Sequence, residues 1–381
     1  MIYLDNAATT HKKPPQVADA VYNYLKNISA SPGRSAHKLA VEAGRIVVDA
    51  REALAQLFNI KDPARIVFTH NATYAINIAL FGLLRRGDHI VTTSLEHNAV
   101  MRPLNLLKKR LDLDVTVVQA DVDGTLPPRR ILDAVRQNTR LVAVNHASNV
   151  VGTIIDLSEL GQQLRSRGVV LLVDAAQTAG AVPVDVERDA IGLLAFTGHK
   201  ALFGPPGTGG LYVAPWVELQ PAICGGTGSR SEHEQQPDFL PDMLEAGTPN
   251  TAGIAGLNAG VRFILKEGFE RIRSYEEELT GRLLEGLARI DGVRTYGPRD
   301  PSRQTAVVSV NVDGKTPSEV GALLDERYDI AVRVGLHCAP SAHRTIGTFP
   351  EGTVRISLSY LNEKDDVDAV VDALAEIAKD G

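Results

Sequence analysis

Cysteine is nearly absent from this chain, with only Cys224 and Cys338 in 381 residues. Two thiols build no disulfide framework, fit a reducing compartment and lack the ligand spacing of a zinc site, so no metal is expected. Excess positive charge is missing too. The net charge is −6, the pI is near 6.0, and no run of Lys and Arg exceeds three residues. That excludes the electrostatic footprint of a nucleic-acid binder. No apolar run approaches the ~18–20 residues of a membrane span. The opening "MIYLDNAATT" has neither the basic nor the apolar stretch of a secretory signal, so a cytoplasmic protein is expected. What is present, 44% hydrophobic and 23% charged residues, suits a globular chain of two domains, or of one large domain with an appendage.

Between about residues 64 and 215, short β-branched runs alternate with amphipathic stretches. Strands are expected at "RIVF" (65–68), "HIVTT" (89–93), "VTVVQ" (115–119), "LVAVN" (141–145) and "VVLLVDA" (169–175). Helices are expected at 73–85, 98–110, 127–137 and 157–167, some closed by a glycine such as Gly87 or Gly168. Nearly unbroken apolar strands predict an α/β domain whose parallel sheet is covered by helices on both faces. Beyond residue 250 the pattern becomes α+β. One long helical pattern over 253–290 precedes strands at "TAVVSVNV", "IAVRVG" and "TVRISLS", with helices at 317–328 and 363–378. The polar, Gly/Pro/Ser-rich stretch from Cys224 to Asn250 reads as the link between two domains.

In an open α/β sheet, ligands bind beyond the carboxyl ends of the strands. There the chain places a helix start at Thr73, His97, Asn149, then Asp174 with Gln177 three residues on, and Lys200 in "FTGHKALFGPPGTGG". Each has an ordinary explanation: Asp174 as a turn residue, His97 as a satisfied histidine, Thr73 as part of a first helical turn, Lys200 as a surface lysine. A lysine at the end of an apolar strand with no nearby carboxylate nevertheless asks for a partner. Together the four supply what pyridoxal phosphate needs: an amine for a Schiff base, a carboxylate for the ring nitrogen, and a phosphate cradle.

Several segments sharpen this reading: "YLDNAATT" (3–10), "VDAAQTAG" (173–180), "TGHKALFGPPGTGGLYV" (197–213), "EAGTPNTAGIAGL" (245–257), "RVGLHCAP" (333–340) and "VRISLSYLNEKDDVD" (354–368). Across essentially its whole length, the chain resembles fold-type I pyridoxal phosphate enzymes of the class V aminotransferase group. Within that group it resembles the cysteine desulfurase/selenocysteine lyase family. The resemblance implies a large α/β domain over 14–254, built on a mainly parallel seven-stranded sheet. A smaller α+β domain, from 1–13 and 255–381, would carry a cysteine loop. Lys200 would bind the cofactor, Asp174 its ring nitrogen, Gln177 its ring hydroxyl, and His97 would stack on the ring. Ala72, Thr73, Thr197 and His199 would hold the phosphate, and Thr248 would reach the phosphate in the neighbouring subunit of a homodimer. Asn149, Arg355 and Arg333 would meet the substrate carboxylate, a task suited to a guanidinium fork.

The resemblance makes Cys338 the nucleophile that takes sulfur from L-cysteine, leaving a persulfide and L-alanine. Taken bare, a lone cysteine is more often a small buried hydrophobe. In "RVGLHCAPSAHR", however, it stands beside His337 and five residues after Arg333, and cationic neighbours favour a thiolate. Cys224 reads as structural. Cys338 and Arg355 lie 17 positions apart, as in the short-loop branch of the family, which implies a dedicated sulfur-acceptor protein. Leu336 stands where that branch has a further histidine, and Ala72 and Tyr74 stand where it often has Thr and Glu, leaving acceptor and substrate preference open. L-Selenocysteine as substrate, or another class V activity (aminotransferase or carbon–sulfur lyase), is the alternative reading. A non-catalytic scaffold is disfavoured by the intact Lys200, Asp174 and His97.

Overall fold

The computed structural model describes residues 1–33, 37–230 and 232–379. Seven strands form one sheet, in the order Ile66–Thr69, Gly209–Val213, Leu193–Thr197, Val170–Asp174, Thr139–Asn145, His89–Thr93 and Asp114–Val118. Gly209–Val213 is antiparallel to both neighbours, and the remaining pairings are parallel. Every residue of His89–Thr93, Val170–Asp174, Leu193–Thr197 and Gly209–Val213 is buried, which is why those runs lack a polar alternation. Two helices start directly beyond strand ends. Asn71 caps Ala72–Leu83 by accepting from Tyr74 N–H at 3.0 Å, and His97 caps Asn98–Leu111 by accepting from Ala99 N–H at 3.0 Å. Both place backbone N–H groups at the carboxyl edge of the sheet.

A second sheet is antiparallel, in the order Arg333–Gly335, Thr353–Ser357, Val307–Val312 and Val293–Tyr296. The N-terminal segment joins both bodies. Ile2–Tyr3 pairs in parallel with Ile330–Ala331, and Ala7 N–H donates to Ser357 Oγ at 2.9 Å. A few residues on, the Thr10 hydroxyl donates to the Lys200 carbonyl at 3.1 Å. Two hydrophobic clusters follow this division. One fills the seven-stranded sheet around Leu54, Phe58, Ile76 and Phe196; the other gathers Leu4, Leu279, Leu283, Val308, Ile356 and Leu374. A smaller third cluster, of Leu95, Val150, Val151, Ala339, Ala342 and Ile346, lies where the two bodies meet.

Three expectations need correcting. The helical pattern over 253–290 is two helices, Thr251–Glu267 and Phe269–Leu287, because Gly268 turns the chain with φ 85°. "IAVRVG" splits into Ile330–Ala331 and Arg333–Gly335, which pair in different sheets. The 224–250 stretch is no free link, since Leu244 sits in the first core and Glu245 pairs with Arg51. Leu257, Val261 and Ile264 also pack into the first core.

Candidate active site

A cavity of about 280 Å³ opens at the carboxyl edge of the large sheet, closed on its far side by the second sheet. Asp174 ends the central strand, in register with Asn145 on one side and Ala195 on the other. One carboxylate oxygen accepts from Ala176 N–H at 2.9 Å. Only 6% of Asp174 is exposed, and burial pushes its pKa up, with the Ala176 N–H and the Lys200 charge pulling the other way. Lys200 follows the next strand, and burial brings its amine down to about 8 from 10.5, against the opposing pull of Asp174. More of such an amine is unprotonated near neutral pH than of an ordinary lysine.

One end of the cavity is made to receive an anion. It is lined by the first residues of the helix Ala72–Leu83, with Asn71, Thr73, Thr197 and His199. Unpaired N–H groups and the positive end of the helix dipole favour negative charge there. The glycines of the Lys200 loop let this end close. A Cβ on Gly209 would lie 2.8 Å from Asn71 Cα, and one on Gly198 would lie 2.0 Å from Thr208 Oγ1. Burial, with Lys200 and Lys13, lowers His199 to about 4, and an anion bound beside it would oppose that shift. His97 is likewise lowered to about 4, first by burial and then by Lys200, Arg333, Arg102 and Arg355. Because its Nδ1 accepts from Ala99 N–H, the proton of the neutral ring is on Nε2.

The opposite wall carries Arg333, Arg355, Asn149, His337 and Cys338. Arg333 and Arg355 face each other directly across two antiparallel strands, a like-charge pair that calls for anions. Asp5 supplies one, accepting from Arg355 Nη2 at 2.7 Å, while Arg355 Nη1 donates to the Asn149 carbonyl at 3.1 Å. Arg355 is 2% exposed, with no partner for its Nε–H. His337 and Cys338 are both left-handed, with φ of 48° and 58°. Consecutive left-handed non-glycine residues store strain that the surroundings must hold in place.

Every residue singled out from the sequence lines this cavity except Thr248, which lines a separate one with Arg51, Phe68, His70 and Tyr74. Cys338 is exposed. Cys224 is exposed as well, and it lines neither this cavity nor the one that holds Thr248. His337 does not put a cation beside Cys338. Its ring is buried against Thr353, and burial together with Arg355 pushes its pKa far below the usual value, leaving Arg333 and Arg355 as the charges of this wall. Sequence reasoning quoted "YLDNAATT" without giving Asp5 a role, although a carboxylate closing an apolar "IYL" run was a usable signal. Glu96 was passed over too. It is fully buried, pushed up to about 8, and accepts from the Thr93 hydroxyl and Asn145 N–H. The arrangement suits a ligand with an anion at one end and a cationic nitrogen at the other, held within reach of an amine and a thiol.

Known proteins share this architecture. The family model described as "Aminotransferase class-V" matches residues 2–370. A probable cysteine desulfurase of Methanothermobacter thermautotrophicus is 39% identical, covering 99% of this chain and 94% of its own. A cysteine desulfurase of Haloferax volcanii is 33% identical over 98% of this chain and 88% of its own. Among solved structures, the apo cysteine desulfurase of Thermococcus onnurineus superposes with a TM-score of 0.94 at 34% identity, over 100% of this chain and 95% of that one. The Escherichia coli cysteine desulfurase CsdA gives 0.88 at 30% identity, over 100% and 94%. With its fold, its cavity and its full-length relatives in agreement, the chain belongs to the class-V aminotransferase family, and it shares the fold of that family's cysteine desulfurases.

Proposed function

We propose that this protein is a pyridoxal phosphate-dependent cysteine desulfurase, converting L-cysteine to L-alanine and storing the sulfur as a persulfide on Cys338. The observation that carries this reading is the meeting of Lys200, Asp174 and Cys338 on one cavity with an anion-binding end. The residues suit the cofactor. Asp174 is a buried carboxylate whose burial cost a cationic ring nitrogen would offset, and the start of helix Ala72–Leu83 with Thr73, Thr197 and His199 suits its phosphate. When bound, pyridoxal phosphate supplies an electron sink that lets the α-carbon of an amino acid give up its proton.

The chain's own groups do the rest. Lys200, with its lowered pKa, accepts and returns a proton at the α-carbon. Asp174 holds a proton at the ring nitrogen, and His97 offers a flat neutral ring and an Nε2–H donor. Arg355, Arg333 and Asn149 orient the substrate carboxylate. Cys338 Sγ attacks the substrate sulfur. An S–S bond forms as the C–S bond breaks; the electron pair of that bond stays with the β-carbon, which takes up one proton to match the one the Cys338 thiol gives up. L-Cysteine plus one thiol thus gives L-alanine plus one persulfide, with no outside oxidant or reductant.

The exposure of Cys338 supports hand-off to a sulfur-acceptor protein. Thr248 lines a neighbouring cavity and not that of its own chain's Lys200, which supports a homodimer in which it serves the partner's site. Among the described residues no helix is long and apolar enough to cross a membrane, and we place the protein in the cytoplasm, where its free thiols stay reduced. The test is incubation with L-cysteine and a reductant, measuring alanine and sulfide together. Equal amounts of both, lost in Cys338→Ser, are expected. Alanine and sulfide formed at the parent rate by Cys338→Ser would refute the nucleophile.

A further inference from the structure

Behind the strained dipeptide runs a chain of hydrogen bonds whose direction is fixed at one end. The Val150 carbonyl only accepts, so the Ser309 hydroxyl, 2.6 Å away, must donate to it. Ser309 has one proton and has used it, so the Thr353 hydroxyl at 3.0 Å donates to Ser309 Oγ. Thr353 in turn has no proton left for His337 Nε2, 3.1 Å away, and the ring must be the donor. His337 is therefore a neutral imidazole protonated on Nε2, with a bare Nδ1 that is buried and without a partner. Ser309 and Thr353 are wholly buried and His337 is 4% exposed, so water does not compete for these bonds.

The backbone is held as firmly. The Asn149 amide donates to the His337 carbonyl at 2.7 Å, and Asn98 N–H donates to the Cys338 carbonyl at 2.8 Å. Asn149 and Val150 are adjacent, so the bonds close a ring from the large-sheet body through the second sheet to the cysteine loop. The third hydrophobic cluster seals it, with Ala339 and Ala342 of the loop packed on Leu95, Val150 and Val151.

We infer that His337 is a positioning residue, a fixed N–H donor that locks the left-handed His337–Cys338 turn and presents the thiol over the cavity, rather than a base for that thiol. This rests on the desulfurase reading above and adds to it. The anchoring serves the sulfur-transfer step and leaves loss of the α-proton untouched, because Lys200 and Asp174 stand on other elements.

The test uses the holoenzyme. Persulfide on Cys338 is measured by mass spectrometry after rapid mixing with L-cysteine, alongside the cofactor absorbance change on mixing. Thr353→Val, close in shape, leaves the His337 N–H unpaired; about a tenfold slower persulfide formation is expected from a displaced thiol, with the absorbance change and the pH profile retained. Thr353→Ser restores the rate. His337→Gln, whose amide keeps an N–H donor, stays close to the parent, whereas His337→Ala falls as Thr353→Val does, which covers the case of a Thr353→Val protein that does not fold. Parent-rate persulfide formation in Thr353→Val or His337→Ala overturns the inference, as does a shifted pH profile, which would mark His337 as a proton carrier. A parent enzyme that forms no persulfide at all overturns the functional reading, and this inference with it.

Discussion

Asp5 offers the sharpest quantitative test of the site's electrostatics. Its carboxylate is 20% exposed and its partner Arg355 is 2% exposed, so the pair is largely shielded from water. Arg355 also lies directly across from Arg333, and Asp5 is the carboxylate bonded to its guanidinium. Replacing Asp5 by Ala strands a buried guanidinium beside a second one, a change that costs about 3–5 kcal/mol when one partner of a buried ion pair is removed. Asp5→Asn keeps an oxygen acceptor at the same position. It exchanges a charge-assisted hydrogen bond for a neutral one, a loss of about 1–2 kcal/mol. Urea unfolding of the apo-protein should rank parent, Asn and Ala in that order through the transition midpoint, with an unchanged slope. Steady-state kinetics should add a split. In Asp5→Ala the loosened Arg355 raises KM for L-cysteine much more than it lowers kcat, and Asp5→Asn stays near the parent on both. An Asp5→Ala protein within about 1 kcal/mol of the parent would refute the argument, showing the pair to be no more than a surface contact.

The cavity makes further predictions. Because the Lys200 pKa is about 8 when folded and 10.5 by default, the folded state binds fewer protons than the unfolded state between those values, and apo-protein stability should rise with pH there and be flat below. Lys13, also lowered to about 8 by burial, adds to that rise, so Lys200→Met should show a smaller one; identical pH dependence of urea midpoints in the two proteins would contradict it. Asp174→Asn should cut turnover by roughly 10²–10³-fold. The apo form should be at least as stable as the parent at neutral pH, because the buried carboxylate is gone; calorimetry checks this. Gly209→Ala drives a methyl into the Asn71 backbone, and should cost about 1–3 kcal/mol and weaken cofactor retention, measured by absorbance after dialysis.

Much of the molecule was legible in the chain. Strands such as His89–Thr93 and helices such as Pro317–Tyr328 stand where periodicity put them, because a strand buried on both faces or a capped amphipathic helix is a local matter of side-chain pattern. Lys200, Asp174 and His97 were visible for the same reason, each at the end of an apolar run. Gly268 misled because the helical pattern continues on both of its sides, and only its left-handed backbone separates the two helices.

The amino-acid order by itself determined which elements form, which edge of the sheet collects reactive groups, and which amine lies among them. Tertiary structure alone decided the rest. It set Arg333 against Arg355 with Asp5 bonded to Arg355, turned the His337 ring inward onto Thr353, and put Thr248 in a neighbouring cavity. The reason is physical. A periodic pattern reports an energy shared by neighbours a few residues apart, whereas an ion pair between positions 5 and 355 needs the two ends of the chain to share one sheet region, and a hydroxyl chain ending at Val150 needs the second sheet to close on the first body.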